Sequence, residues 1–331
     1  MIGAQGTSFT AQEARSILIA ACAEAGFDPR EVEPVRVGEN AVFWLRSRSV
    51  VARVGRGQDR LAEVNREVQV ARWLAERSVP AVRALDLPQP IRAWGHTVTL
   101  WESVGDEVAY GGSADLGSLL CRLHALEPPD ELALPPADPC RRARACLARA
   151  GALTSADRRF LSEALDDVTA RYGELSFSSA GAAVLHGDAN VCNVFLSSDG
   201  GAVLGDLDTV AVGPRELDLV PTAVYHDRLG WLSEHEYCDF VDAYGFDVRD
   251  WPGYSLLAKA VELELVAWLA QWQGHAPPRL GQGRSPGGWI STGWRRTIFT
   301  SWSHRSSGPS AWLGRGFSPA NCATAWGGVT T

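Results

Sequence analysis

The fold of this chain is decided by the stretch Val184-Leu185-His186-Gly187-Asp188-Ala189-Asn190-Val191-Cys192-Asn193 together with Gly205-Asp206-Leu207-Asp208, which follows closely. Short apolar, β-prone runs at 182–185, 194–196 and 202–204 flank these polar residues, and each run predicts a strand. The segment 198–201, Ser-Asp-Gly-Gly, has the composition of a hairpin turn between the last two strands. The sequence therefore places acidic and amide side chains at the ends of neighbouring strands, which indicates a site for metal and phosphate.

The predicted hairpin brings two of these side chains together. If its turn centres near residues 199–200, Asn193 and Asp206 lie opposite each other with Cβ atoms about 5 Å apart. One divalent cation could then contact both side chains. Asp188 follows a predicted strand on a loop within reach of this cation site, and its carboxylate can accept a proton from an attacking hydroxyl group.

The spacing of these residues also resembles a known signature. His186-Gly187-Asp188, Asn193 five residues later, and the pair Asp206 and Asp208 are similar to the motif of the aminoglycoside phosphotransferase family. Members of that family are small-molecule kinases that resemble protein kinases in fold. The resemblance implies that Asp188 is the catalytic base and that Asn193 and Asp206 are Mg²⁺ ligands.

The same resemblance implies supporting roles for other residues. His186 would brace the catalytic loop, and Asp208 would support the water shell of the metal or orient Asp206. The segment 213–219 is similar to the part of the family pattern in which an aspartate, here Asp218, anchors that loop. We therefore expect Asp218 to be structural.

The first part of the chain offers a cation for the nucleotide phosphates. Arg53 lies on a predicted strand at 49–54, and a helix predicted at 59–77 carries Glu67 on its apolar stripe. An acid that faces the core is costly unless it is paired, so we predict an ion pair between Glu67 and Arg53. Both residues are assigned to the binding of the nucleotide cofactor.

Two further segments are candidates for nucleotide contacts. The segment 100–105 follows a predicted strand and resembles a kinase hinge, where the backbone of Glu102 and Val104 would bind the adenine edge. The segment 37–43 joins two predicted strands and contains one glycine, Gly38. It fits a phosphate-covering loop and a plain hairpin equally well.

These elements predict an α+β, protein-kinase-like fold with two lobes. Residues 1–104 are expected to form a nucleotide-binding lobe with a leading helix, an antiparallel sheet and the helix of Glu67. Residues 105–273 are expected to form a larger, mainly helical lobe for catalysis and substrate binding. Asp227 and Glu234, on helices that follow Asp218, are candidate substrate contacts.

Residues 274–331 differ in composition from the rest of the chain. They contain five tryptophans, 11 glycines, eight serines and six arginines, and no Asp or Glu. Our hypothesis is that this tail arises from a shifted reading frame, and the alternative is a genuine flexible or disordered extension. An unbroken frame that encodes the same residues in independent isolates would contradict the hypothesis.

Composition limits the classes of partner. The net charge of −8 in 331 residues disfavours nucleic-acid binding. No apolar run approaches the roughly 20 residues needed to span a bilayer, so we expect a cytoplasmic protein without membrane contact, as a monomer or homodimer. The negative surplus suits a cationic substrate, although acidic surfaces are common in soluble proteins.

Taken with the resemblance, these observations predict Mg²⁺-dependent transfer of the γ-phosphoryl group of ATP to a hydroxyl of a small molecule. The acceptor would be an aminoglycoside-like antibiotic or another amino alcohol or sugar, and the first of these implies antibiotic resistance. The alternative is a catalytically idle, kinase-like nucleotide-binding module, whose usual mark is the loss of Asp188, Asn193 or Asp206; all three are present. A hydrolase metal site is a weaker alternative, because His186 has no second histidine at ligand spacing.

Overall fold

A computed structural model describes residues 9–29, 31–38, 40–57, 60–151, 153–178 and 181–271. The predicted tail at 274–331 lies outside the described residues. Within them the chain has the predicted α+β architecture, with an antiparallel sheet and helices. No described helix has the length and apolar character that crossing a bilayer requires.

The small lobe contains a five-stranded antiparallel sheet. Its spatial order is β1-β2-β3-β5-β4, and every neighbouring pair is antiparallel. Along β2 and β3 buried and partly exposed residues alternate, because successive side chains of a strand point to opposite faces. The strands are β1 (Val32–Val37), β2 (Asn40–Leu45), β3 (Val50–Gly55), β4 (Ile91–Ala93) and β5 (His96–Glu102).

Two helices accompany this sheet. Helix α1 (Ala11–Glu24) begins after Thr10, whose hydroxyl oxygen accepts a hydrogen bond from the Glu13 amide at 3.2 Å. Its buried residues share one apolar core with the sheet. Helix α2 (Leu61–Glu76) instead buries its apolar stripe in the main core of the larger lobe, so it connects the two lobes.

The larger lobe is mainly helical. Helices α3 and α7 pack together in its main core, and α4, α5 and α8 share a second apolar core. The predicted boundary near residue 104 falls between β5 and the first of these helices. The helices are α3 (Ser113–His124), α4 (Arg141–Arg149), α5 (Ser155–Tyr172), α6 (Glu216–Asp227), α7 (Glu234–Tyr244) and α8 (Tyr254–Gln271).

Four short strands carry the polar motif. β6 (Ala183–Leu185) pairs with β9 (Ala211–Gly213), and β7 (Val194–Leu196) pairs with β8 (Ala202–Leu204). The strands predicted on either side of the motif are therefore present, and β9 was not predicted.

The predicted register of the β7–β8 hairpin was wrong by one residue. Val194 pairs with Leu204, and the Gly205 amide donates to the Asn193 carbonyl at 2.8 Å, so Asn193 lies opposite Gly205 and not Asp206. The reason is the turn, which is centred on Asp199 because the Ser197 amide closes it onto the Gly201 carbonyl at 2.8 Å.

Candidate active site

The loop that follows β6 is anchored by the buried carboxylate of Asp218. Asp218, at the start of α6, accepts hydrogen bonds from the amides of His186 at 2.6 Å and Gly187 at 2.9 Å. His124 on α3 contacts the same carboxylate through Nε2 at 3.0 Å. Burial alone would raise the pKa of Asp218, but His124 and the Gly187 amide hold it below its usual value. Asp218 therefore anchors the loop as a charged group.

His186 fixes the loop from the other side. Its fully buried ring bonds the Gly205 carbonyl through Nε2 at 2.8 Å, and its carbonyl accepts from the Thr209 hydroxyl at 2.9 Å. Gly187 has φ +79°, and a Cβ there would lie 2.3 Å from the Thr209 carbonyl oxygen. Only glycine fits this close crossing of the two segments. The residue predicted to brace the loop thus contacts the segment that leads to Asp206.

Two asparagines set the backbone position of the predicted base. The side-chain amide of Asn193 donates to the Asp188 carbonyl at 2.9 Å, and that of Asn190 donates to it at 3.1 Å. Asn190 is 9% exposed and also accepts from the Cys192 amide at 2.9 Å. Asn190 was not predicted as a site residue, because its role depends on the path of the loop. Asp188 and the predicted ligand Asn193 therefore belong to one hydrogen-bonded turn.

Asp206 enters the same cleft through an unusual backbone conformation. Its φ of +53° lies in the left-handed region, which aspartate tolerates better than most residues. Its carboxylate lies 3.7 Å from Arg53, and the neighbouring Asp208 accepts from Arg60 at 3.2 Å. Both predicted acids therefore face arginines from the small lobe.

The ion pair predicted between Arg53 and Glu67 is present. Glu67 is 3% exposed, and burial raises its pKa to about 7, although Arg53 opposes the shift. Because Arg53 also approaches Asp206, α2 is linked through one arginine to the predicted metal ligand. The assignment of this pair to nucleotide binding stays a prediction.

The oxygen donors of the cleft fit a magnesium ion. Although the Asp206 side chain is 46% exposed, the cleft removes enough water to raise its pKa, and the charge of Asp208 adds to that shift. Among the described residues, no three His, Cys, Asp or Glu side chains form a group that could hold a metal ion alone. Mg²⁺ usually combines one or two carboxylates with phosphate oxygens and water, so Asn193 and Asp206 suit an ion that arrives with a nucleotide.

The segments predicted to contact the nucleotide adjoin β3, the strand of Arg53, because β2 and β5 both pair with it. The Glu102 amide donates to the Arg83 carbonyl at 2.8 Å, and the Val104 carbonyl accepts from the Ser198 amide at 3.1 Å. The linker between the lobes is therefore tied to the β7–β8 hairpin. In the segment 37–43, the Gly38 amide donates to the Asn40 carbonyl at 2.9 Å, which is the geometry of a tight hairpin. The predicted adenine contacts of Glu102 and Val104 stay predictions.

A pocket between α4, α6 and α8 has Asp188 in its lining. Arg142 of α4 contacts the Asp188 carboxylate at 2.6 Å and Glu264 of α8 at 3.1 Å. Neither residue was predicted from the sequence, and Arg142 is one of four arginines on a helix whose periodicity does not distinguish it. The lining of the pocket also includes Tyr225, Leu217, Val220, Leu257 and Val261.

The two predicted substrate residues do not line this pocket. Asp227 accepts a hydrogen bond from the Tyr254 hydroxyl at 3.0 Å. Glu234 is 70% exposed and lies 3.0 Å from His226. Their predicted role in substrate binding gains no support from these contacts.

Solved structures share this fold. Aminoglycoside phosphotransferase APH(3'')-Id from Streptomyces rimosus is 22% identical with a TM-score of 0.53, covering 75% of this chain and 97% of its own. Amicoumacin kinase hAmiN is 12% identical with a TM-score of 0.62, covering 87% and 93%. Choline kinase LicA from Streptococcus pneumoniae is 14% identical with a TM-score of 0.58, covering 88% and 99%. At these identities the likeness establishes the fold.

The sequence supplies the family. None of the curated proteins is similar enough to match the chain. The model of the phosphotransferase enzyme family, in contrast, matches residues 31–257, a span that includes β1, the ion pair of Arg53 and Glu67, the loop of Asp188 and most of the pocket between α4, α6 and α8. With more than half of its length matched, the chain belongs to the phosphotransferase enzyme family, whose members are small-molecule kinases.

Proposed function

We propose that the protein transfers the γ-phosphoryl group of ATP to a hydroxyl of a small molecule. The observation that carries this proposal is the convergence of three groups on one cleft: the carboxylate of Asp188, the oxygen donors of Asn193 and Asp206, and the paired cation Arg53. Phosphoryl transfer needs little covalent help from a protein, and positioning with charge neutralisation supplies most of the catalysis. This cleft offers both.

Asp188 acts on the acceptor. Its backbone is fixed by Asn190 and Asn193, and its carboxylate faces the pocket between α4, α6 and α8, here called the acceptor pocket. In that position it aligns the attacking hydroxyl with the γ-phosphorus and accepts the hydroxyl proton as the new P–O bond forms, while the bond from the γ-phosphorus to the bridging oxygen breaks and ADP leaves. Because α4, α6 and α8 surround the acceptor side, the pocket also limits the access of water that would otherwise be phosphorylated.

The nucleotide lies on the other side of the cleft, toward β3 and the linker between the lobes. Arg53 offers a planar guanidinium for two phosphate oxygens, and Glu67 fixes its orientation from the buried side. Asn193 and Asp206 would hold Mg²⁺, which supplies positive charge to the β- and γ-phosphates. The segment of Glu102 and Val104 would contact the base.

The test is nucleotide consumption by the purified chain with Mg²⁺, offered both ATP and GTP, against a panel of aminoglycosides, other hydroxylated antibiotics, choline and sugars. Phosphorylation of the acceptor is verified by mass spectrometry. Asp188→Ala is assayed alongside, with Asp242→Ala as the matched control, because Asp242 is an exposed aspartate on α7 of the same lobe.

Acceptor-dependent turnover that is lost in Asp188→Ala and kept in Asp242→Ala is the expected result. It would also identify the acceptor, and a hydroxylated antibiotic would make the protein a resistance enzyme. Turnover that Asp188→Ala leaves unchanged would refute the assignment of the base. Nucleotide binding without phosphorylation of any acceptor would favour an idle nucleotide-binding module.

A further inference from the structure

The acceptor pocket contains an arginine that bridges two carboxylates. Arg142 lies 2.6 Å from Asp188 through Nη1 and 3.1 Å from Glu264 through Nε. All three side chains are only partly exposed, at 35%, 24% and 29% respectively. Arg142 thus links a predicted catalytic base to two separate helices. Arg144 on the same helix α4 instead pairs with Asp166, which is 69% exposed.

The geometry at Asp188 distinguishes its two carboxylate oxygens. Within the part of the chain that the structure describes, the ion pair from Arg142 and the longer contact from Asn190 at 3.4 Å both reach Oδ1. A carboxylate whose one oxygen is fixed by a guanidinium presents the other in a defined direction. Oδ2 is thus left for the hydroxyl of the acceptor.

The charges around the bridge do not cancel. One guanidinium faces two carboxylates, so the bridge as a whole carries −1. Burial raises the pKa of Glu264, Arg142 lowers it, and the charge of Asp188 raises it again. A desolvated carboxylate that shares its cation with a second acid favours a further positive charge nearby.

The rest of the pocket is mostly apolar. Its walls include Leu217, Val220, Pro221, Leu257, Val261 and Leu265. The charged residues of the lining have a net charge of −1. They are three acids, Asp138, Asp188 and Glu264, and two arginines, Arg141 and Arg142. Such a lining can compensate one ammonium group, and further charges on a ligand would lose water against apolar walls without a partner.

We propose that Arg142 is a positioning and specificity-determining residue, which fixes Asp188 with Oδ2 toward the acceptor and selects hydroxylated acceptors that carry one ammonium group on an apolar body over polycationic ones. The ammonium group is held by Glu264. This inference deepens the proposed function and rests on it, because it assumes that the pocket beside Asp188 binds the acceptor.

A purely structural role is the competing explanation, since Arg142 also ties α4 to α8 and to the catalytic loop. The two roles differ in what the loss of the charge does. A structural tie would lower stability and weaken all ligands alike. A selectivity role would change the relative affinity for ligands of different charge, because removal of the guanidinium makes the pocket more negative.

The experiment measures the binding of two probes by isothermal titration calorimetry to the full chain. The probes are kanamycin, which has four amino groups, and erythromycin, whose only amine is a dimethylamino group on a sugar attached to a largely apolar macrolactone. The variants are Arg142→Gln, Arg142→Lys and Glu264→Gln. Arg144→Gln is the matched control, because it removes the same charge from the same helix but from an arginine that pairs with Asp166 at 2.9 Å. Circular dichroism verifies that each variant is folded.

We expect the wild-type protein to bind the monoamine more tightly than the polyamine. Arg142→Gln should shift the ratio of the two dissociation constants toward kanamycin by about tenfold or more, and Glu264→Gln should weaken the monoamine by about tenfold. Arg142→Lys should keep the selectivity but lower kcat without changing KM for ATP, since the single nitrogen of an ammonium does not reproduce the separate Nη1 and Nε donors that fix the two carboxylates. Arg144→Gln should leave the ratio unchanged.

A wild-type protein that prefers kanamycin, or that binds neither probe below millimolar concentration, would overturn the proposal. So would an equal shift of the ratio in Arg142→Gln and Arg144→Gln. If Arg142→Gln does not fold, Arg142→Lys tests the proposal instead. Unchanged selectivity with a lower kcat would support it, and a changed selectivity or an unchanged kcat would contradict it. Selective binding without any phosphorylation would instead leave the charge selectivity standing and refute the proposed function.

Discussion

Replacing Glu67 with Gln is expected to stabilise the nucleotide-free protein at neutral and higher pH. Glu67 is 3% exposed and has Arg53 as its ion-pair partner. Burial raises its pKa from the ordinary 4.5 to about 7, because the pair with Arg53 does not fully offset the loss of water. Burial of the charged Glu67 carboxylate therefore lowers the free energy of unfolding, and glutamine, its neutral isostere, avoids this cost.

The magnitude follows from proton linkage. Between pH 4.5 and about 7 the folded state binds more protons at Glu67 than the unfolded state does, so the free energy of unfolding falls as the pH rises. Each pKa unit corresponds to about 1.4 kcal/mol, and the loss from about pH 5 to pH 8 amounts to about 2.5 kcal/mol. Glu67→Gln removes this loss, so its advantage over the wild-type protein should grow by about that amount across the range.

The assay is urea unfolding of both proteins at several pH values, at constant ionic strength and without Mg²⁺ or nucleotide. The quantity of interest is the difference in free energy of unfolding between variant and wild type, because other titrating groups cancel in it. Glu63→Gln serves as the control, since Glu63 lies on the same helix but is 48% exposed in its pair with Arg60. That substitution should change stability by no more than about 0.5 kcal/mol at any pH.

Two results would refute the reasoning. A difference between Glu67→Gln and the wild-type protein that does not change with pH would mean that Glu67 does not titrate in this range. A variant that is less stable at pH 8 would mean that the pair with Arg53 is net favourable.

Glu67→Gln should also weaken ATP binding, because Arg53 loses the charge that orients it.

Three further predictions concern the catalytic loop. Asp188→Ala should lower kcat by about 10²- to 10⁴-fold while the dissociation constant for ATP stays within about twofold, measured by steady-state kinetics and calorimetry; comparable losses in both would indicate a binding role. Asp206→Ala should raise the dissociation constant of Mg²⁺-ATP by about tenfold or more but not that of metal-free ATP, and equal Mg²⁺-ATP affinity would exclude it as a ligand. Gly187→Ala and Gly200→Ala both place Cβ on a positive φ, at +79° and +83°, but only the first meets an atom, the Thr209 carbonyl oxygen at 2.3 Å. In urea unfolding Gly200→Ala should cost about 1 kcal/mol and Gly187→Ala at least about 2 kcal/mol more, whereas equal losses would show that the crossing at Thr209 does not require glycine.

Features that depend on local sequence were predictable. The strand of Arg53, predicted at 49–54, lies at Val50–Gly55, and the helix of Glu67, predicted at 59–77, lies at Leu61–Glu76. The contact between Glu67 and Arg53 was also foreseeable, because an acid on an apolar stripe requires a cation and the neighbouring strand offers one.

Features that depend on the path of the loops were not predictable from the sequence. The register of the β7–β8 hairpin shifted by one residue because its turn is centred on Asp199, and no pattern in the flanking strands distinguishes the alternatives. The one-residue shift would have turned Asp206 away from Asn193 if its backbone had stayed extended. Its left-handed conformation instead lets its carboxylate approach Arg53 in the cleft.

The sequence by itself determined the fold class, the family and the chemical groups of the cleft, because these follow from short-range periodicity and from a motif whose polar residues lie close together along the chain. Only the tertiary structure decided what surrounds Asp188. Arg142 and Glu264 belong to helices far apart in sequence, and their contact depends on how α4 and α8 pack against the catalytic loop. The selectivity that we propose for this pocket therefore depends on helix packing, which local patterns do not encode.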